Sequence, residues 1–327
     1  MVVLQINAAS VTFPPPVVDS SSQKLLRKPK DYYQWTAAAV QVALDLRDDR
    51  AILCVGHMGT GKSSLMSEIA ARIGQPFIAP PMNEGTQLSD LLGTYLARGG
   101  ETVWVDGPLT MAMRNGWWFC FDELDFLNPK VQSAFNALAE PKDSVEEPRM
   151  FILKEKDGEI IFTHSNFRIM GTANTLGPMS RHIYMYQGAN PPNMAQLDRF
   201  DNFYWIKPLP KDQEFQVLKD RFKVKTEGEM LLTKMLDVAI AARDAFEAGK
   251  MQFYFSPRRL ASWARKINVI SKEKESLGIK KTNTLFDLVM MSVESSVLNF
   301  CTDENDREAI IELLKHHFMK KTNNAAP

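Results

Sequence analysis

The chain has 327 residues, 45% hydrophobic and 24% charged, a composition that excludes a disordered or fibrous protein. Lysine plus arginine number 39 and aspartate plus glutamate 39, so the formal net charge is zero, which argues against a broad surface built for duplex nucleic acid. No apolar run approaches the ~20 residues of a membrane span, and Met1–Ser10 reads as no secretory signal. Cys54, Cys120 and Cys301 lack Cys-x-x-Cys spacing and read as reduced thiols, so the expectation is a soluble cytoplasmic protein of two domains.

Residues 1–30 carry Pro14–Pro16, Ser20–Ser22 and a basic stretch from Lys24 to Lys30. They read as a flexible arm, because proline and serine there join neither a packed helix nor a central strand. Trp35–Leu46 has apolar residues at helical spacing, and Ala51–Val55 is a short apolar run of strand type. The spacing predicts a helix over Lys62–Ile73, with Leu65, Ile69 and Ile73 on one face and Gly74 ending it. Gly99-Gly100 within Leu96–Val105 is the looser of two hairpin signals. Trp117–Phe121 predicts a parallel strand buried on both faces. Asn128 and Pro129 then offer an N-cap and a first-turn proline for a helix over Lys130–Ala139. In Phe151–Thr163, Asp157-Gly158 separates two β-prone stretches and is the firmer hairpin signal. Phe167–Thr172 predicts a second buried strand. Alternating strands and helices over residues 31–208 imply an α/β fold with a mostly parallel sheet and hairpin insertions. From about Lys211 strand patterns cease, and residues 209–327 read as a smaller all-helical domain, interrupted by a charged loop around Ser271–Lys281.

Five segments carry chemistry. Gly56-His57-Met58-Gly59-Thr60-Gly61-Lys62-Ser63 matches G-x-x-x-x-G-K-[ST] and lies between a predicted strand and a predicted helix. Its glycines let backbone N–H groups wrap a phosphate chain, and the helix N-terminus favours an anion. Gly56, Gly59, Thr60, Gly61, Lys62, Ser63 and Ser64 are therefore candidate nucleotide-binding residues, with Lys62 on the β- and γ-phosphates and Ser63 on Mg²⁺. Downstream, Trp118–Phe121 ends in Asp122 and Glu123, which a buried strand delivers to the ligand crevice of an α/β sheet. Asp122 can hold Mg²⁺, and Glu123 can polarise the water that attacks the γ-phosphate. Asn174, ending the next apolar strand, can orient that water; by itself an asparagine there is a turn former. Arg199, in Asp198-Arg199-Phe200, precedes a last strand near Phe203–Ile206 and is placed to project into a neighbouring subunit, the alternative being a surface pair with Asp198 or Asp201. Ser256-Pro257-Arg258 opens a helix of the C-terminal domain, and Arg258 at its start would point toward nucleotide unless it only decorates a helix end. The five histidines and three cysteines show no ligand spacing for zinc.

Taken in this order, these segments resemble an AAA+ ATPase. Asp90-Leu91-Leu92-Gly93 and Asp106-Gly107-Pro108-Leu109, ahead of the acidic strand, resemble the hairpin insertion of the MoxR branch. Within that branch, Phe167-Arg168-Ile169, Gly171–Thr175, Tyr186-Gln187-Gly188, Ala195–Arg199, Ser256–Arg258 and Trp263-Ala264 are similar to the AAA+ subunit of the cobalt-inserting chelatase, the CobS type, whose relatives include phage-encoded proteins. The resemblance covers roughly Asp31–Met319. It implies ATP and Mg²⁺ as cofactors, a homo-oligomeric ring, usually a hexamer, with nucleotide between subunits and hairpins toward a central pore, and a partner protein carrying a metal-dependent von Willebrand A (VWA) domain. The function expected is an ATP-hydrolysing motor that remodels such a partner. Two alternatives stay open: a nucleic-acid motor or DNA-organising factor gripping a strand through the Lys24–Lys30 arm, and a nucleotide-locked structural ring.

Overall fold

The computed structural model describes residues 1–142, 144, 147–175, 194–273 and 284–319. Tyr186-Gln187-Gly188 and most of the charged loop within Ser271–Lys281 lie outside the described residues. The chain forms two compact units, one of Met1–Asp31 with Trp35–Lys207, the other of Tyr32–Gln34 with the chain from Pro208 onward.

In the first unit, residues 1–30 are not a free arm. Strands β1 (Val2–Ile6) and β2 (Ala9–Phe13) pair antiparallel, from Val2↔Phe13 to Ile6↔Ala9. Alternation puts Leu4, Ile6, Val11 and Phe13 on one buried face, and the Phe13 ring lies 6.0 Å from that of Trp118. The proline and serine runs that suggested mobility begin only after this hairpin. Arg27 of the basic stretch donates to Ser67 Oγ at 3.1 Å and lies over the Phe77 ring.

The order continues with α1 (Ala39–Arg47), β3 (Ile52–Val55), α2 (Lys62–Ile73), β4 (Phe77–Ile78), α3 (Leu88–Leu92), β5 (Gly93–Arg98), β6 (Glu101–Asp106), α4 (Pro108–Asn115), β7 (Trp118–Phe121), α5 (Pro129–Ala134), α6 (Asn136–Ala139), β8 (Met150–Leu153), β9 (Glu159–Phe162), β10 (Arg168–Ala173), α7 (Met194–Leu197) and β11 (Asn202–Trp205). Five strands make a wholly parallel sheet in the order β11-β3-β10-β7-β4. Every residue of β3, β7 and β10 is buried, as an unalternating apolar run covered on both faces requires. Arg168, the polar start of β10, donates to the carbonyls of Leu46 and Arg47 and so caps α1.

Both hairpins form, but their turns reverse the expected tightness. Gly99 and Gly100, both at positive φ, are the whole turn between β5 and β6, whereas Asp157-Gly158 ends a longer connection between β8 and β9. The predicted helix over Lys130–Ala139 breaks into α5 and α6 at Phe135, whose ring packs 4.9 Å from Phe121. Asn128 accepts a bond from the Lys130 N–H, the expected N-cap.

The second unit holds α8 (Lys211–Phe222), α9 (Thr226–Glu247), α10 (Pro257–Lys272), α11 (Leu285–Ser296) and α12 (Glu304–Met319) around its own core, centred on fully buried Trp263. The Trp263 indole donates to Ser292 Oγ, and Arg243 makes a two-pronged pair with Glu214 at 2.7 and 2.9 Å. Among the described residues no helix is long and apolar enough to cross a membrane.

The buried hairpin face makes a direct prediction. Phe13→Ala is expected to cost about 3–5 kcal/mol, the range for deleting a buried aromatic side chain, measured by denaturant unfolding. An unstructured arm would show no change.

Candidate active site

Register assembles the site. The pairs Gly171↔Phe121 and Ala173↔Val55 end the ladders on the two sides of β10. One step further, Asp122 lies across from Thr172, while Gly56 and Asn174 leave the ends of β3 and β10 together. The Thr172 hydroxyl donates to Asp122 Oδ1 at 2.8 Å and accepts the Glu123 N–H at 2.9 Å. Glu123 takes a left-handed conformation, φ 63°, which a non-glycine residue adopts only when held there. Its side chain is exposed and that of Asp122 half-buried.

The P-loop is held from within. Gly56 N–H donates to Ala173 O, and a Cβ at Gly56 would stand 2.3 Å from Ile206 O, so the loop starts against the end of β11 where only glycine fits. Gly61, by contrast, faces open space and is required by its φ of 97°. The Thr60 hydroxyl donates to His57 O. Lys62 opens α2, with Ser63 and Ser64 half-buried after it. Its ammonium donates to Gly56 O at 2.7 Å, His57 O at 3.1 Å and Asn174 Oδ1 at 2.8 Å, using all three protons. Burial pushes Lys62 down to about 8, against the opposing fields of Asp125, Asp122 and Glu123 in that order.

Lys62 is thus joined to Asn174, and Asp122 to Glu123 through Thr172. Half-buried Asp122 has one oxygen fixed by Thr172, and Ser63 stands at the start of α2. Among the described residues no three His, Cys, Asp or Glu side chains gather as a metal site. A single carboxylate with a hydroxyl suits Mg²⁺, which binds few protein oxygens and fills its shell with phosphate and water.

Two residues of the site escaped the sequence reading. Thr172 stood inside the Gly171–Asn174 segment without a role. Asp125 sits among Leu124, Phe126 and Leu127, and an acid inside an apolar run is the signal that could have found it. It is fully buried and accepts from Asn174 N–H at 2.9 Å and from the Thr175 N–H and hydroxyl, each at 3.2 Å. Burial raises its carboxyl above the usual range, and these bonds pull it back.

Arg199 is bonded elsewhere in the first unit, and Arg258 belongs to the second. Arg199 pairs with Glu140 at 3.0 Å, instead of Asp198 or Asp201. Asp201 accepts from Ala51 N–H and Arg50. In the second unit Ser256 caps α10 by accepting the Arg259 N–H at 3.2 Å. Arg259 lies 3.9 Å over the Phe300 ring, whereas Arg258 is exposed.

Residues 51–185 match the family described as AAA domain (dynein-related subfamily). The chain thus carries an AAA domain and is similar to AAA+ ATPases of the MoxR type. It is 27% identical over 245 residues to the aerobic cobaltochelatase subunit CobS of Sinorhizobium sp., covering 73% of this chain and 71% of that one. It is 29% identical to protein NorQ of Paracoccus denitrificans over 46% of this chain and 56% of that one. The mouse von Willebrand factor A domain-containing protein 8 is 23% identical over 81% of this chain, which spans only 15% of that protein. This AAA+ ATPase binds and hydrolyses nucleotide, the chemistry that a P-loop beside an acidic strand end supplies.

Thr172→Val keeps the shape of a fully buried side chain but removes both its bonds to the acid pair. Hydrolysis is expected to fall about tenfold while nucleotide affinity stays within about threefold, as loss of a 1–3 kcal/mol interaction at the reacting end predicts. Steady-state rates beside a nucleotide titration check this.

Proposed function

We propose that this AAA+ ATPase is a ring motor that hydrolyses ATP at the seam between subunits and uses the work to remodel a partner protein. The observation that carries the reading is the Arg199–Glu140 pair, a partner apart from the Lys62–Asn174 and Asp122–Thr172–Glu123 contacts. Within its own chain Arg199 is held by Glu140, while Lys62 is bonded to Asn174. An arginine given to a neighbour's γ-phosphate supplies positive charge and is worth on the order of 10³–10⁵ in rate.

In this reading Gly56, Gly59, Thr60, Gly61 and Ser64 cradle the phosphates, and Lys62 exchanges its carbonyl partners for phosphate oxygens. Ser63 and Asp122 would hold Mg²⁺, which when bound neutralises charge on the β- and γ-phosphates. Glu123 takes a proton from the attacking water, and Asn174 orients that water. Arg258, exposed at the start of α10, is the second arginine offered to nucleotide.

A protein partner is supported by the β8–β9 hairpin. Cross-strand pairs Met150↔Phe162 and Ile152↔Ile160 present four exposed apolar side chains on one face, which suit a protein surface and not a phosphate backbone. The relatives named a cobaltochelatase subunit and a VWA-domain protein point to a partner with a VWA domain. The nucleic-acid alternative has less to rest on, since Arg27 of the basic stretch is engaged with Ser67 and Phe77.

Glu123→Gln is expected to retain ATP while hydrolysis falls by roughly 10²–10⁴, the usual worth of general-base catalysis. A bound-nucleotide assay beside steady-state turnover reads both, and unchanged turnover would remove Glu123 from its role. The shared site is tested by mixing. Lys62→Ala and Arg199→Ala proteins should each be inactive, and their mixture should recover turnover where an intact P-loop meets an intact Arg199. A mixture as inactive as its components, from variants shown to co-assemble, would refute the shared site.

A further inference from the structure

Asp125 has no part in the hydrolytic steps above, yet it is the most deeply buried acid beside them. It follows the acid pair in the short 3-10 turn Leu124–Phe126 and is 0% exposed. A carboxylate so placed costs several kcal/mol unless its oxygens are bonded. One oxygen, Oδ2, takes all three bonds from Asn174 and Thr175, while Oδ1 has no hydrogen-bond partner among the described residues.

The bonds answer a specific need. Pairing of β10 with β7 stops at Gly171 and pairing with β3 stops at Ala173, so the next amides have left the ladder while still inside the protein. Asn174 is 8% exposed and Thr175 is 1% exposed, too buried for water to satisfy their N–H groups in place of a protein acceptor. Asp125 accepts both amides. In doing so it sets the main chain from which the Asn174 side chain reaches Lys62 Nζ at 2.8 Å. Asp125 is also first among the carboxylates whose field supports the buried Lys62 charge.

We infer that Asp125 is a positioning residue for ATP hydrolysis, clamping the Asn174–Thr175 backbone so that the Asn174 amide and the acid pair are carried as one piece. It does not touch substrate; it acts through Asn174. The inference rests on the proposed role of Asn174 in orienting water.

A double-mutant cycle tests it. Asn174→Ala is expected to lower kcat at least tenfold, and Asp125→Ala to lower it comparably with KM for ATP within about threefold, because aim is lost and not binding. The double variant should be no slower than Asn174→Ala alone, since both changes break one chain of contacts. Asp125→Asn, which keeps a carbonyl oxygen for the two amides, should recover most of the lost rate. If Asp125→Ala does not fold, Thr175→Val removes one of the three bonds and should lower kcat about threefold, the effect of one hydrogen bond. A slow Asn174→Ala beside a wild-type Asp125→Ala would overturn this inference alone, as would additive losses, an Asp125→Asn as slow as the alanine variant, or an unaltered Thr175→Val. A wild-type rate for Asn174→Ala would instead overturn the reading of Asn174, and this inference with it.

Discussion

Parallel pairing in one register is the constraint on which the site depends. The ends of β3, β10 and β7 are aligned by ladders that pair Val55 with Ala173 and Phe121 with Gly171. From those two pairs alone, Gly56, Asn174, Thr172 and Asp122 fall within one hydrogen bond of one another or of Lys62. A slip of one residue in β10 would turn Thr172 to the opposite face of the sheet and separate Asn174 from Lys62. Burial of all three strands on both faces makes such a slip costly, so the packing of the core and the geometry of the site are one requirement.

The site also shows how charge is kept in a nearly dry place. Lys62 and Asp125 are both buried, and neither forms a simple ion pair among the described residues. Lys62 spends its protons on two carbonyls and an amide oxygen, while Asp125 accepts from two backbone amides and a hydroxyl. Neutral dipoles thus support both ions at short range, and their mutual field acts at longer range. In the proposed reading, a triphosphate at Lys62 exchanges one set of oxygen partners for another, a smaller rearrangement than desolvating a free ammonium.

Elements beyond this cluster divide between internal support and outward presentation. Arg168 caps α1, and Arg259 stacks on Phe300. Arg258 and the apolar face of β8–β9 are left outward, while Arg199 is lightly held by Glu140. An exposed pair of that kind is worth little, so a stronger anion can displace Glu140 at small cost. The two hairpins meet each other: Tyr95 Oη donates to Asp157, and Arg114 bridges Asp106 and Glu159.

Local chemistry made much of this legible in advance. The P-loop pattern, the apolar strand ending in Asp122 and Glu123, the Asn128 and Ser256 caps and the helical C-terminal domain all depend on neighbours a few residues apart, and each formed where its pattern stood. What escaped depended on distant partners. The hairpin of β1 and β2 is a short alternating pair that declares itself only against Trp118; Phe135 breaks its helix to reach Phe121; and the choice of Glu140 over Asp198 for Arg199 is made across the fold. Asp125 and Thr172 gained roles only when β10 was laid beside β7. The sequence by itself determined the chemical groups and the strands that carry them, because turn, cap and periodicity are local. Tertiary structure alone decided which groups touch, because contact across a sheet follows from register, and register is settled by burial of the whole sheet.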